Sequence, residues 1–335
     1  MLGNKTLKLA SVTAIASLLA LPAFVGEANA AVKAFSALHV ENFTISDGDG
    51  QLDFLTDFDD IDVGNSGQNS ATLTLGGVAQ PGAVFGAGPT QGDADALHAC
   101  VGANCAAIGE NNFNQQAFPP TNSFARGDSA LLGAGVLNVP GASGSTVTAD
   151  TVAGVQLLGS GDSGIGASNV GTGTLVNFSL DEDRAITFSF SAAGQLETII
   201  EDDSVSPSSA LANFEFSITI RDDDGNIVFQ WSPDGEDGNI VGGIENADGA
   251  NLNQEISRLS PGTSAVDTGL QLFSATTDLL SADIDYTLTI SHNSFASAAL
   301  TVAVPEPASL ALFSLGLIAI GLMVMQRRRD NGGVA

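Results

Sequence analysis

Three kinds of residue grouping in this 335-residue chain have the types and spacing to do chemistry. The first is acidic. Asp47, Asp49, Gln51 and Asp53 fall at alternate positions, the way a calcium loop opens, with side-chain oxygens placed to surround a hard cation. The pattern then leaves the EF-hand kind: Leu52 stands where the sharp turn needs glycine, and Phe58 stands where a bidentate glutamate closes the shell. Two readings stay open here, an irregular calcium site and a solvated acidic edge alternating with Leu52, Phe54 and Phe58. A second acidic run, Asp222, Asp223 and Asp224, precedes Gly225, and Asp234, Glu236 and Asp237 follow soon after. The intervening strand of five residues, at about 3.4 Å each, holds these two clusters ~17 Å apart. They cannot share an ion, so Asp222, Asp223 and Asp224 are calcium candidates only by themselves, against the ordinary use of Asp and Gly in turns.

The second grouping is Cys100 and Cys105, the two cysteines of the chain. In an oxidising compartment such a pair closes a small disulfide loop. A metal pair completed by His98 would still need a fourth ligand. The third grouping is nucleophilic. Gly161-Asp162-Ser163-Gly164 resembles the nucleophile segment of chymotrypsin-like proteases, and Leu97-His98-Ala99-Cys100 faintly resembles their histidine segment. A separation of 65 positions between His98 and Ser163 is too short to put them on two separate β-barrels. Arg126-Gly127-Asp128-Ser129 matches a tripeptide that integrins read, and a loop turn explains it as well. No pair of carboxylates is singled out for acid–base work, so no catalytic residue is assigned and the chain is not expected to be an enzyme.

The elements that would position these residues are strands. Val176, Phe178 and Leu180, then Ile186, Phe188 and Phe190, alternate around Asp181-Glu182-Asp183 as a hairpin would. A second hairpin pairs Phe214, Phe216, Ile218 and Ile220 with Ile227, Phe229 and Trp231 across an Asp-Gly turn. A third sets Ile284, Tyr286, Leu288 and Ile290 against Leu300, Val302 and Val304, turning at His292-Asn293. Near the start, Leu38, Val40, Phe43 and Ile45 suggest a strand pair or one bulged strand. Strands with one apolar face each bury those faces only against one another, which predicts an antiparallel β-sandwich, jelly-roll-like, over 174–303. Residues 31–173 form a different region. Its stretch from 64 to 173 holds 22 of the 39 glycines, and reads as long loops between short strands.

Both ends carry addresses. Lys5 and Lys8, the apolar run Leu9 to Ala23 and the small residues Ala28-Asn29-Ala30 make 1–30 a signal peptide for signal peptidase. At the other end, Pro305-Glu306-Pro307 precedes 18 uncharged residues, 308–325, followed by Arg327, Arg328 and Arg329. As a helix that run covers roughly 27 Å, enough for a transmembrane span. Arginines immediately after it hold its C-terminus on the cytoplasmic side. Between the two addresses lie five of the ten Lys and Arg but 35 of the 38 Asp and Glu, a net charge of −30. Such a charge excludes non-specific nucleic-acid binding, opposes contact with anionic lipid and attracts cations.

The tail, over 304–329, resembles the PEP-CTERM sorting signal of Gram-negative exoproteins in all three of its parts and in their order. The resemblance implies that exosortase recognises Pro305, Glu306, Pro307 and the arginines, that inner-membrane anchoring is transient, and that the ectodomain ends at the cell surface or in the exopolysaccharide matrix. It covers about a tenth of the chain and is silent on ectodomain activity. Three roles remain: a structural or adhesive surface protein, a calcium-dependent carbohydrate-binding sandwich, and a secreted hydrolase. The first fits the tail and the acidity best.

Overall fold

The computed structural model describes residues 30–47, 50–51, 58–90, 93–103, 105–118, 120–132, 147–159, 161–201, 208–236 and 238–301, together with Leu317 and Ile320. The chain divides into two units, Asn29–Val302 and a second made of Met1–Ala28 with Ala303–Ala335. In the second, Leu317 and Ile320 are helical and exposed. No helix of the described residues is long and apolar enough to cross a membrane. Apart from Leu317, Ile320 and Ala30, the span expected over 308–325, the Pro-Glu-Pro, the three arginines and the signal peptide lie outside the described residues.

The first unit is a sandwich of two antiparallel sheets, each of nine strands among the described residues. The first sheet runs in the order β14 (Gly243–Asp248), β17 (Gln271–Thr277), β10 (Thr187–Ile200), β1 (Val32–Asp47), β8 (Thr148–Leu157), β7 (Phe124–Leu132) and β6 (Ala94–Gly102). Here β16 (Gly262–Asp267) also pairs with β10, and β2 (Gly50–Gln51) with β1. The second sheet runs β13 (Ile240–Val241), β12 (Ile227–Trp231), β11 (Ser209–Arg221), β18 (Tyr286–Ala299), β9 (Ser163–Leu180), β3 (Phe58–Leu75) and β4 (Val78–Ala79). Off this path β15 (Gln254–Arg258) pairs with β11 and β5 (Ala83–Thr90) with β3. The mainly-β expectation therefore holds, though the sheets are wider than those of an eight-stranded jelly roll.

The core has two halves of different thickness. In one, Phe190 of the first sheet packs with ring centroids 4.7 Å from Phe216, 5.2 Å from Phe273 and 5.6 Å from Trp231. Each such ring buried is worth on the order of 1.5–3 kcal/mol of apolar transfer. In the other half the buried residues are mostly small: Ala34, Ala71, Ala99, Ala125, Ala153, Ala296 and a few Val and Leu. There the sheets come so close that a Cβ on Gly127 would lie 2.8 Å from the carbonyl carbon of Ala167 and 2.9 Å from the Ser70 oxygen.

This thin half corrects the loop reading of 64–173. The glycines and alanines there sit in strands whose backbones nearly touch, and β3 and β9 are 18 residues each. The boundary drawn at 173/174 falls inside β9, and each sheet takes strands from both sides of it. Two hairpins are also corrected. Val176–Leu180 pairs with β18 and β3 in the second sheet, while Phe188 pairs with β1 and β17 and Phe190 with β17 in the first, so the turn between them crosses the sandwich. The third turn is replaced by strand: β18 runs through His292-Asn293, with His292 and Ser294 at inward positions in series with Tyr286, Leu288 and Ile290, and Val302 and Val304 lie outside the described residues. The second hairpin has the expected register, Ile218 opposite Trp231 and Ile220 opposite Phe229. The first segment is one bulged strand, its register shifting between Glu41 and Thr44 where Asn42 takes φ 57°.

Chain entry and exit share one pole. Val32 lies opposite Ile200 and Leu157, while Ala299 lies opposite Ser209 and Ser163. Ala30, Val32, Ile200 and Leu300 belong to the same small cluster. Thr301 is held there through its amide and carbonyl, both bonded to the Ser208 hydroxyl at 2.9 and 2.8 Å.

Candidate functional site

A grouping of buried polar residues lies on the outer face of the first sheet, beneath the connection from β6 to β7. The connection begins at a disulfide between Cys100 on β6 and Cys105, with Cα atoms 5.5 Å apart, on a one-turn helix α1 (Cys105–Ile108). Beyond it the chain crosses β7, β8 and β1. Arg126, fully buried, donates from Nη1 to the Asn112 carbonyl and from Nη2 to the Asn114 carbonyl, both at 2.6 Å. Lys33 and Gln156 donate to the Gln116 carbonyl at 3.2 and 3.3 Å. Glu197 accepts from Lys33 Nζ and from Gln115 Nε2, each at 2.5 Å. Burial draws Arg126 down to about 10 and lowers Lys33 as well. Asp128 lies on the same face, fully buried, with neither carboxylate oxygen in good hydrogen-bonding geometry; burial raises it to about 6 against the opposing pull of the nearby Asn111 and Ser129 amides.

Two of the five cations between residues 31 and 304 are thus spent under one connection. Sequence reasoning missed this site. The available signal was Lys33 and Arg126 each standing alone inside an apolar strand in a chain otherwise short of cations.

The acidic candidates are not brought together. Asp47 accepts from Arg184 Nη1 at 2.7 Å, and Arg184 also donates to Asp181 and Glu182. Asp49 and Asp53 lie outside the described residues. Asp222 accepts from the backbone and side chain of Asn226 at 2.7 and 3.0 Å, bonds that hold its carboxyl below the usual range and close the turn. Asp222 and Asp223 line one side of a cavity of about 430 Å³ that also meets Asp62, Asp285 and Arg221. Among the described residues no three His, Cys, Asp or Glu side chains converge as a metal-ligand set. Asp222, Asp223 and Asp224 act here as turn residues, and calcium has no described site.

The nucleophilic groupings dissolve likewise. His98 sits on β6 of the first sheet and Ser163 opens β9 of the second. Asp162 is a staple: it accepts from the Gly76 amide at 2.8 Å, the Ser123 hydroxyl at 2.5 Å and the Gly159 amide at 3.0 Å. Arg126, Asp128 and Ser129 are buried inside β7, a strand where a turn had been expected, so none is on display to a receptor. Between the sheets, His292 Nε2 donates to the Leu38 carbonyl at 2.9 Å beside Thr151 and Ser294. Burial drives His292 down to about 4, which keeps it neutral.

One part of the outer face of the second sheet, toward the pole of entry and exit, carries no charge. Across β11, β18, β9 and β3 three rows read Ser209, Ala299, Ser163, Thr74; then Leu211, Ser297, Ile165, Thr72; then Asn213, Phe295, Ala167, Ser70. None of the twelve is charged, on a chain of net charge −28.

These features define an antiparallel β-sandwich. The tail gives the particular kind: residues 303–329 match the PEP-CTERM protein-sorting motif. The chain thus carries a PEP-CTERM sorting motif, which supports an exported protein addressed to exosortase. No curated protein matches it. Among solved structures, that of the infectious bursal disease virus Gx strain aligns with 90% of this chain and 74% of its own at 8% identity and a TM-score of 0.12. A subviral particle of the same virus aligns with 86% of this chain and 87% of its own at 9% identity and a TM-score of 0.08. Scores this low carry no argument about fold.

Proposed function

We propose that the mature domain, about residues 31 to 304, is a non-catalytic structural or adhesive component of the cell surface or exopolysaccharide matrix, placed there after exosortase acts on the tail. The observation that carries this reading is the sorting motif at 303–329. It is supported by a sandwich whose polar side chains are spent on turns, staples and the β6–β7 connection. The test is intact mass and fractionation of the native protein in cells with and without exosortase. A species ending near Val304 to Pro307, outside the inner membrane and lost without the enzyme, is expected. A full-length tail retained in the inner membrane in both strains overturns the reading.

A second reading rests on the uncharged rows of the second sheet, whose hydroxyls and amides with Phe295 suit a neutral sugar chain better than an ion. A glycan array probed with and without calcium tests it, and absence of signal in both conditions rejects it.

A further inference from the structure

We propose that the segment from Cys105 to Phe118 is a pH-responsive strap, latched across the first sheet in acid and released when Asp128 beneath it ionises. The strap is held almost wholly by polar contacts. Ile108 is its one buried apolar side chain among the described residues, and the rest of its underside rests on carbonyls gripped by Arg126, Lys33 and Gln156. Segments with little apolar burial open at a small fraction of the global unfolding free energy. Opening is a swing about fixed roots, because the disulfide pins one end and the buried Phe124 the other.

Asp128 supplies the bias. Closed, the strap buries this carboxyl with no donor in hydrogen-bonding geometry, and the nearby amides of Asn111 on the strap and Ser129 on β7, with the Arg126 charge, only partly offset that burial. Arg126, two residues away on β7, aims both Nη groups at the strap instead. The other charged groups around it do not neutralise it. Glu110 of the strap adds negative charge and accepts from the His98 amide at 2.7 Å. Asp95 on β6 accepts from Asn111, burial lowers the His98 imidazole, and Asp150 on β8 is engaged by His39 at 2.7 Å. A carboxyl that titrates near 6 when covered and near its ordinary 3.8 when hydrated must favour the open strap as pH rises.

Hydrogen exchange on the mature protein tests this. After correction for intrinsic rates, protection of amides 105–118 is expected to fall about tenfold between roughly pH 5 and pH 7.5, from linkage of one proton. Protection elsewhere in β1 and β10 should not follow it. Asp128→Asn should abolish the dependence and leave the strap latched at both values. Should that variant not fold, His39→Gln and His98→Gln serve, since they remove the two nearby imidazoles and must leave the wild-type profile in place. Equal corrected protection at both pH values overturns the proposal, as does a profile that vanishes with His39→Gln or His98→Gln.

Discussion

Gly127→Ala is the substitution that tests the account of the thin half most directly. The new methyl points from β7 into the facing sheet, toward the carbonyl carbon of Ala167 on β9 at 2.8 Å and the carbonyl oxygen of Ser70 on β3 at 2.9 Å. Ordinary contact for a Cβ begins at 3.4 Å, so even these two atoms must retreat by half an ångström or more, and the Ala167 oxygen, nearer still, by more. All are backbone atoms in two different strands. No side-chain rotation relieves the clash, and bending one strand does not free the other. The sheets must part locally, and a gap of 0.5–1 Å forfeits a quarter to a half of the dispersion energy of atoms along it. Overpacking of this kind costs about 1–3 kcal/mol and occasionally more. We expect a loss of about 3 kcal/mol, which for a domain of this size lowers Tm by roughly 6–12 °C. The assay is thermal unfolding followed by circular dichroism. Gly86→Ala is the control, because its Cβ would meet only the Gly67 oxygen at 3.5 Å. A Tm for Gly127→Ala within about 2 °C of wild type and of the control would refute close sheet contact in this half.

Two further outcomes follow from the site. His292 is neutral in the folded state with its pKa lowered to about 4 from 6.5, so the unfolded chain binds the extra proton between these values. Its contribution is present above 6.5 and is lost as pH falls through 4, about 3 kcal/mol in all; urea midpoints across that range should drop in wild type and drop less in His292→Gln. Replacing Cys100 and Cys105 by serine opens a loop of sequence separation 5, which by loop entropy costs about 2 kcal/mol. Proteolysis of the double variant should begin in the connection after Cys105, and cutting first in β1 or β18 would contradict its placement as a peripheral strap.

The aromatic half of the sandwich was legible because Phe214, Phe216, Ile218 and Ile220 alternate with polar residues on a sheet with one dry face. The small-residue half was not. Gly127, Gly164 and Gly166 carry no side chain whose polarity could alternate, and a glycine needed for close approach looks the same in sequence as one needed for a turn. Polar residues at inward positions misled in the same way: His292 and Ser294 read as a turn until Thr151 and the Leu38 carbonyl are seen opposite them. Strand partners were open to error for a further reason. Alternation around Asp181-Glu182-Asp183 fits two strands of one hairpin and two strands of facing sheets equally well. The candidate site escaped because its chemistry is made by backbone carbonyls of Asn112, Asn114 and Gln116, which no residue type advertises.

The shared pole of entry and exit decides how this domain carries load. A protein held through the residues after Thr301 and pulled from its opposite pole is tugged along the axis of β18, which has a partner on each side, β11 and β9. Both ladders are then sheared over their whole length at once, and failure requires many bonds to break together. Tension applied between the two termini acts differently. It draws β1 and β18 apart at the pole itself, where the small cluster of Ala30, Val32 and Leu300 gives way first and the sheets peel open from that end. An attachment by the C-terminus alone is therefore the mechanically strong way to hang this sandwich from a surface.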